Sequence, residues 1–352
     1  MRKLLLSLAV MLGISTTASA DYTLVVPQKP GAGTSVWAEI VAKEWEKHLG
    51  EKIIIKHIPG ARDIPGFNAF HNELQNDDKV IMVSHGGNGV SFLQEDVDYN
   101  YSEYESIGLM NLDIISGIRK DYQAGDKIRF AAGSGMVPEA FAITMLLCGP
   151  DLTMDEYVAC FKKHVTWVHG MSGSERRLAF KRGELNATRE NPAAYKKHVE
   201  SNPDAEVWFT HGILDAASKT HTDDPNYPGY QFELLFEQMY GTPATFCDEM
   251  YDAYKLVKAF RDGMQKALWV RKGNPNTAYL VATLSQMAES TESKLAIQKK
   301  VGNYDWLIGA AGNAQRDVLM TFVTENALKN LVKFNTEALG LKSILKTELA
   351  IK

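Results

Sequence analysis

Residues Tyr22 to Gly50, YTLVVPQKPGAGTSVWAEIVAKEWEKHLG, read as a strand, a glycine-rich turn and an amphipathic helix. The strand is Tyr22 to Val26; Pro27 and Pro30 end it, because proline offers no ladder donor and fixes φ. Gly31 and Gly33 then permit a tight turn. From Thr34 onward Val36, Ile40, Val41, Trp45 and Leu49 fall on one helical face, with Thr34 or Ser35 placed to cap the first turn. Backbone amides and the positive end of the helix dipole converge on this turn, a geometry suited to an anion.

Upstream stand Arg2 and Lys3, an apolar run from Leu4 to Ile14, and Ala18-Ser19-Ala20, the pattern of a cleavable secretion signal over residues 1–20. That run is shorter than the ~20 apolar residues a membrane span needs, and no later segment approaches this length. A soluble periplasmic protein is expected. No cysteine follows the cleavage site, which argues against a lipid anchor.

The 352 residues leave room for two lobes of ordinary size. Losing Arg2 and Lys3 takes the formal net charge from -5 to -7. A mildly acidic exported chain does not suit nucleic acid or an anionic membrane, so any anion must be attracted locally. Of three cysteines, Cys148 and Cys160 flank the turn-rich GPDLTMDEYVA and are the expected disulfide, with Cys247 left free and buried. Their spacing matches no zinc motif and the nine histidines include no H-E-x-x-H, so neither metal nor cofactor is expected.

The opening grammar repeats. Ile53 to His57 reads as a strand, Pro59 to Pro65 as a second glycine-proline loop and Gly66 onward as a helix. A strand from Lys79 ends in Ser84-His85-Gly86-Gly87, and two more follow near Ser106 to Met110 and Ile114 to Arg119. Lys127 to Ala132, Gly133-Ser134-Gly135 and Pro138 to Leu147 restart the pattern; Val165 to Val168, His169 to Gly173 and Ser174 to Arg182 continue it, with strands at Leu185 to Arg189 and Glu206 to Thr210. His221 to Tyr230 reads as a surface loop and Met250 to Leu268 as helix, with a return strand near Leu268 to Lys272. Alternating strands and helices imply an α/β fold with mostly parallel sheets. One lobe is expected over 21–119 plus 270–352 and the other over 120–269.

Taken in order, the loops resemble those of the substrate-binding proteins of tripartite tricarboxylate transporters, the Bug family. Its P-x-G-G-x-x-D loop resembles Pro30-Gly31-Ala32-Gly33-Thr34-Ser35, and its N-x-P-G-A-G-G-x-x-G loop resembles His57 through Gly66. Ala132-Gly133-Ser134-Gly135, Val168-His169-Gly170 and Gly183-Glu184-Leu185-Asn186 match the later loops. Ser35, Arg62-Asp63, His57 and Asn186 depart from the family's aspartate, glycine pair, asparagine and aspartate. The resemblance implies a two-lobed, Venus-flytrap periplasmic-binding-protein fold, each lobe a mostly parallel sheet flanked by helices. It also implies an organic acid (mono-, di- or tricarboxylate) held between the lobes by loop amides, an ion-gradient-driven membrane permease as partner, and a monomeric, non-enzymatic protein.

The candidate contacts are Gly31, Ala32, Gly33, Thr34 and Ser35 for the fixed carboxylate, then Gly60, Ala61, Arg62 and Asp63. Arg62 is placed either to meet a ligand carboxylate or to neutralise Asp63. Ser84 and His85 close a strand at the cleft edge. From the second lobe come Ser134, Gly135, Gly170, Met171 and Ser172, with Thr188 and Arg189 at a strand end. Arg176, Arg177, Lys181 and Arg182 read as a solvated basic face. Two rival readings are a sensor that presents its liganded form to a signalling partner and a secreted hydrolase using Ser134 or Ser172 with His85 or His169. Neither serine sits in G-x-S-x-G, the nucleophile-elbow pattern.

Overall fold

The structure, a computed structural model, describes residues 21–60, 63–133 and 136–341. Its first half runs β1 (Tyr22–Val26), α1 (Gly33–Leu49), β2 (Ile53–His57), α2 (Ile64–Asn72), β3 (Val80–His85), β4 (Tyr104–Met110), β5 (Ile115–Arg119), β6 (Ile128–Ala132), α3 (Pro138–Cys148), α4 (Met154–His164) and β7 (Val165–His169). There follow α5 (Gly173–Lys181), β8 (Ala187–Glu190), α6 (Pro192–Tyr195), β9 (Ala205–Thr210), β10 (Ile213–Asp215), β11 (Thr220–Thr222), α7 (Phe232–Tyr240) and α8 (Asp248–Gly263). The chain then returns through β12 (Lys266–Arg271), α9 (Thr277–Glu289), α10 (Thr291–Val301), β13 (Trp306–Ile308), α11 (Ala310–Met320) and α12 (Glu325–Glu337).

Six strands form one sheet in the order β13-β4-β12-β3-β1-β2. β1 pairs in parallel with β2 and β3, whereas the returning β12 runs antiparallel between β3 and β4, and β13 antiparallel beyond β4. The middle of the chain builds a parallel β6–β7 pair, an antiparallel β8-β5-β9 sheet and the β10–β11 hairpin.

Alternation decides which face each helix covers. Trp37, Val41 and Trp45 of α1 bury against Leu24 and Val26 of β1 and Leu284 of α9, and Trp45 Nε1 donates to Thr283 Oγ1 at 3.0 Å. An aromatic side chain of that size removes roughly 150–250 Å² from water, about 4–6 kcal/mol as an upper figure. On the other face the aromatic stretch YNYSEYE supplies core: Tyr99, Tyr101 and Tyr104 pack with Phe67 and Phe70 of α2. From there apolar contacts run through α8 to α12, where Phe334 meets Phe141 of α3 and Phe161 of α4.

Three segments differ from their sequence reading. GPDLTMDEYVA, read as turn, continues into α4, because Thr153 and Glu156 form a reciprocal capping box that satisfies its first amides. Helix α8 stops at Gly263, five residues short of Leu268, where a Cβ would lie 2.7 Å from Leu319 Cδ2. HTDDPNYPGY is not wholly surface: Thr220–Thr222 is a strand, and Asp224 is fully buried, accepting from Tyr304 Oη at 2.8 Å. Cys148 and Cys160 are disulfide-bonded across the α3–α4 turn, with Cα atoms 6.3 Å apart. Cys247 is free and buried.

Candidate functional site

The first two loops are fastened to each other. His57 donates from Nδ1 to the Gln28 carbonyl at 2.8 Å, and Gly66 lets the second loop lie against the first, since a Cβ there would sit 2.8 Å from Ile58 O and 2.9 Å from Pro27 Cβ. Gly31 takes φ +79°, the left-handed conformation the turn requires. The cap of α1 differs from expectation: Ala32 is the N-cap, and neither Thr34 nor Ser35 caps. Gln28 Oε1 accepts from the Thr34 amide at 3.3 Å, Thr34 Oγ1 accepts from Lys266 Nζ at 3.1 Å, and Ser35 Oγ turns back to Glu39 at 3.0 Å.

Beside this helix start is a cavity of about 230 Å³ lined by Gly33, Thr34, His85, Arg176, Arg189, Arg261 and Lys266, among others. At about 30 Å³ per water it has the volume of roughly eight waters, the scale of a small acid. Four cations reach it from α5, β8, the end of α8 and the start of β12, and each of these residues is no more than 9% exposed. Arg176 Nη2 donates to Glu190 Oε1 at 3.2 Å and to Arg189 O at 3.1 Å. Arg189 Nη1 donates to Glu139 Oε1 at 3.3 Å. The buried Nε atoms of Arg176, Arg189 and Arg261 have no hydrogen-bond partner among the described residues. Those three nitrogens are themselves out of reach of water, so what the hollow offers an acceptor is the remaining guanidinium and ammonium donors of its lining.

Burial, with the charge of Arg261 beside it, pulls Lys266 down to about 7. Burial and Arg189 bring Arg261 down to about 10. Burial alone would push Glu139 up, but Arg189, His211 and Arg261 outweigh it and hold this carboxyl below the usual range. At the cavity edge the Gly87 amide donates to His85 Nδ1 at 2.9 Å, leaving Nε2 as the protonated nitrogen facing Asp63 Oδ2. Burial keeps the His85 pKa below its ordinary value despite that carboxylate.

Of the residues singled out from sequence, Gly33, Thr34, His85 and Arg189 meet at this cavity. Gly31, Ala32 and Ser35 build the turn behind it, and Gly60 closes a turn with the Asp63 amide at 3.2 Å. Asp63 contacts His85. Ser84 faces away, accepting from Trp269 Nε1 at 2.7 Å, and Thr188, one residue from Arg189 on β8, is buried outside the lining. Gly170 and Met171 line a separate hollow of about 360 Å³ with Leu178 and Arg182, and Ser172 caps α5 in a box with Glu175. Ala61, Arg62, Ser134 and Gly135 lie outside the described residues.

Arg176 corrects the solvated-face reading. Only Lys181 and Arg182 of that basic run are exposed, while Arg176 turns inward onto Glu190. Lys266 reads as helix in the sequence but opens β12, its signal a lysine heading the apolar run ALWV; Arg261 is on α8 as expected, and helical spacing alone does not single it out. Among the described residues no group of three His, Cys, Asp or Glu could hold a metal.

A returning strand completes the first sheet, and a charged cavity lies at the tip of its first helix. No protein-family profile and no curated sequence matches the chain. Solved structures do. The chain is similar to the periplasmic binding protein BugD at 15% identity, covering 90% of this chain and 97% of that one with a TM-score of 0.58. It is similar to Rhodopseudomonas palustris MatC with bound malate (15% identity, 89% and 98% covered, TM-score 0.52) and to another R. palustris protein with adipate (11%, 90% and 97%, 0.55). The two-lobed α/β architecture is therefore that of the binding proteins of Bug and TctC type.

Proposed function

We propose that this chain is a periplasmic solute-binding protein that captures a small organic acid, a mono-, di- or tricarboxylate, between its lobes and hands it to an ion-gradient-driven tripartite permease. The carrying observation is the convergence of four buried cations, Arg176, Arg189, Arg261 and Lys266, on a cavity of about 230 Å³ at the start of α1. Charge-assisted bonds from these side chains would hold a carboxylate. Structural neighbours that carry malate and adipate support the same ligand class. In this reading residues 21–119 with 270–352 form one lobe and 120–269 the other.

A binding rather than hydrolytic role is supported by how the rival catalytic groups are engaged. His169 Nε2 donates to Leu339 O at 2.8 Å, and Ser172 caps a helix. No helix of the described residues is long and apolar enough to cross a membrane.

A thermal-shift panel of organic acids, sugars and amines tests the proposal. A ligand at about one hundred times its Kd adds about 2.7 kcal/mol to native stability. Carboxylates should raise Tm and neutral sugars should not; a panel in which no organic acid moves Tm overturns the reading.

A further inference from the structure

The four cavity cations are not equivalent. Arg176 and Arg189 each have a resident carboxylate, Glu190 and Glu139. Arg261 and Lys266 form no ion pair among the described residues, although Arg261 is 8% and Lys266 9% exposed. Burying a charge with no direct ion-pair partner is costly, so these two side chains are a demand for further negative charge from outside the chain.

The groups around Lys266 do not meet that demand. Its register partner on β3 is His85, which burial keeps neutral, and its partner on β4 is the apolar Met110. From α1 it receives only the Thr34 hydroxyl. Asp63 attracts it and, opposite a neutral His85, supplies part of a countercharge, but makes no direct ion pair with it among the described residues. At the end of α8, Arg261 repels it, and Asp262 is pushed well above the ordinary carboxyl range by burial and Asp113, which weakens it as a counter-ion. Across the cavity Glu190 is held by Arg176 and Arg177.

We propose that Arg261 and Lys266 are the specificity-determining residues of the cavity, selecting an acid that carries two negative charges over one of the same skeleton that carries one. This rests on the organic-acid reading of the site. One carboxylate meets Lys266 and the α1 amides; the other meets Arg261 and the facing arginines. Lys266 titrates in the ligand-free protein near 7, and a bound anion raises it. Dianion affinity is therefore full below about pH 7 and declines as pH rises above it.

Isothermal titration calorimetry of unbranched four-, five- and six-carbon dicarboxylates, each beside its monoamide, gives the test. The wild type should prefer the best diacid over its monoamide by about tenfold or more. Lys266→Met and Arg261→Met should each weaken that diacid about tenfold to a hundredfold and barely change the monoamide, collapsing the ratio. Lys266→Arg should keep the ratio and abolish the decline between about pH 6 and pH 8.5, since arginine does not titrate there. An unchanged ratio in both methionine variants overturns the inference and leaves the organic-acid reading standing; a wild type that binds no acid sinks both. Should the methionine variants fail to fold, Lys266→Gln and Arg261→Gln make the same comparison, and an unchanged diacid-to-monoamide ratio in both overturns the inference.

Discussion

Replacing Asp113 should unfasten the two points where the chain passes between its sheets. This carboxylate is fully buried just after β4, where Oδ1 accepts from the amides of Ile114 at 2.6 Å and His211 at 3.0 Å and Oδ2 accepts from Gly212 at 2.7 Å. Each buried amide left without an acceptor costs about 1–3 kcal/mol, so Asp113→Ala should cost about 3–6 kcal/mol after partial relaxation. Asp113→Asn keeps one oxygen and turns an N–H₂ toward at least one amide, which costs about 1–3 kcal/mol. Burial, reinforced by the charge of Asp224, lifts the Asp113 pKa to about 7 against its three amide donors. A folded pKa above the unfolded one gives stability that is full below about pH 4 and lost as pH rises through about 7. Urea unfolding at about pH 5, 7 and 8.5 should therefore show the wild type weakening with pH, and the gap to Asp113→Asn narrowing at the alkaline end. If Asp113→Asn equals the wild type at pH 5, the three-amide accounting is wrong.

Gly33→Leu should fold normally, because nothing lies within 4 Å of a Cβ there, yet weaken every acid tested by filling the cavity; melting curves and calorimetry on one preparation separate the two effects. Gly86→Ala should lower stability by about 2 kcal/mol or more, since its Cβ would fall 1.8 Å from the Arg261 carbonyl, and it should also disturb Arg261; a wild-type Tm contradicts that. Reducing Cys148–Cys160, which closes a separation of 12 residues, should cost about 3 kcal/mol in chemical denaturation, and no change in midpoint would count against the loop-entropy argument.

The opening lobe was legible because its signals are local. Pro27 and Pro30 stop β1, Gly31 supplies the turn, and Trp37, Val41 and Trp45 repeat at helical spacing, so β1 and α1 stand where periodicity puts them. The charged wall of the cavity was not legible, because charge alone does not say which way a side chain points. Arg176 and Arg177 are neighbours in sequence, but Glu190 on β8 draws one inward and leaves the other at the rim. Lys266 reaches the cavity from β12 because α8 ends at Gly263, and Leu319 on a helix more than fifty residues later is what crowds that position. The α4 capping box was local and readable, yet the glycine, proline and aspartates before it read as turn.

The thiol inventory has a practical side. Two of the three cysteines are joined to each other and the third is fully buried, with burial pushing its pKa to about 11. Thiolate, not thiol, is what maleimides attack, so the folded protein is chemically silent to such labels at neutral pH. Any cysteine introduced on the surface becomes a unique attachment point without first deleting native ones. A dye pair placed on either side of the cavity would then report opening and closing molecule by molecule.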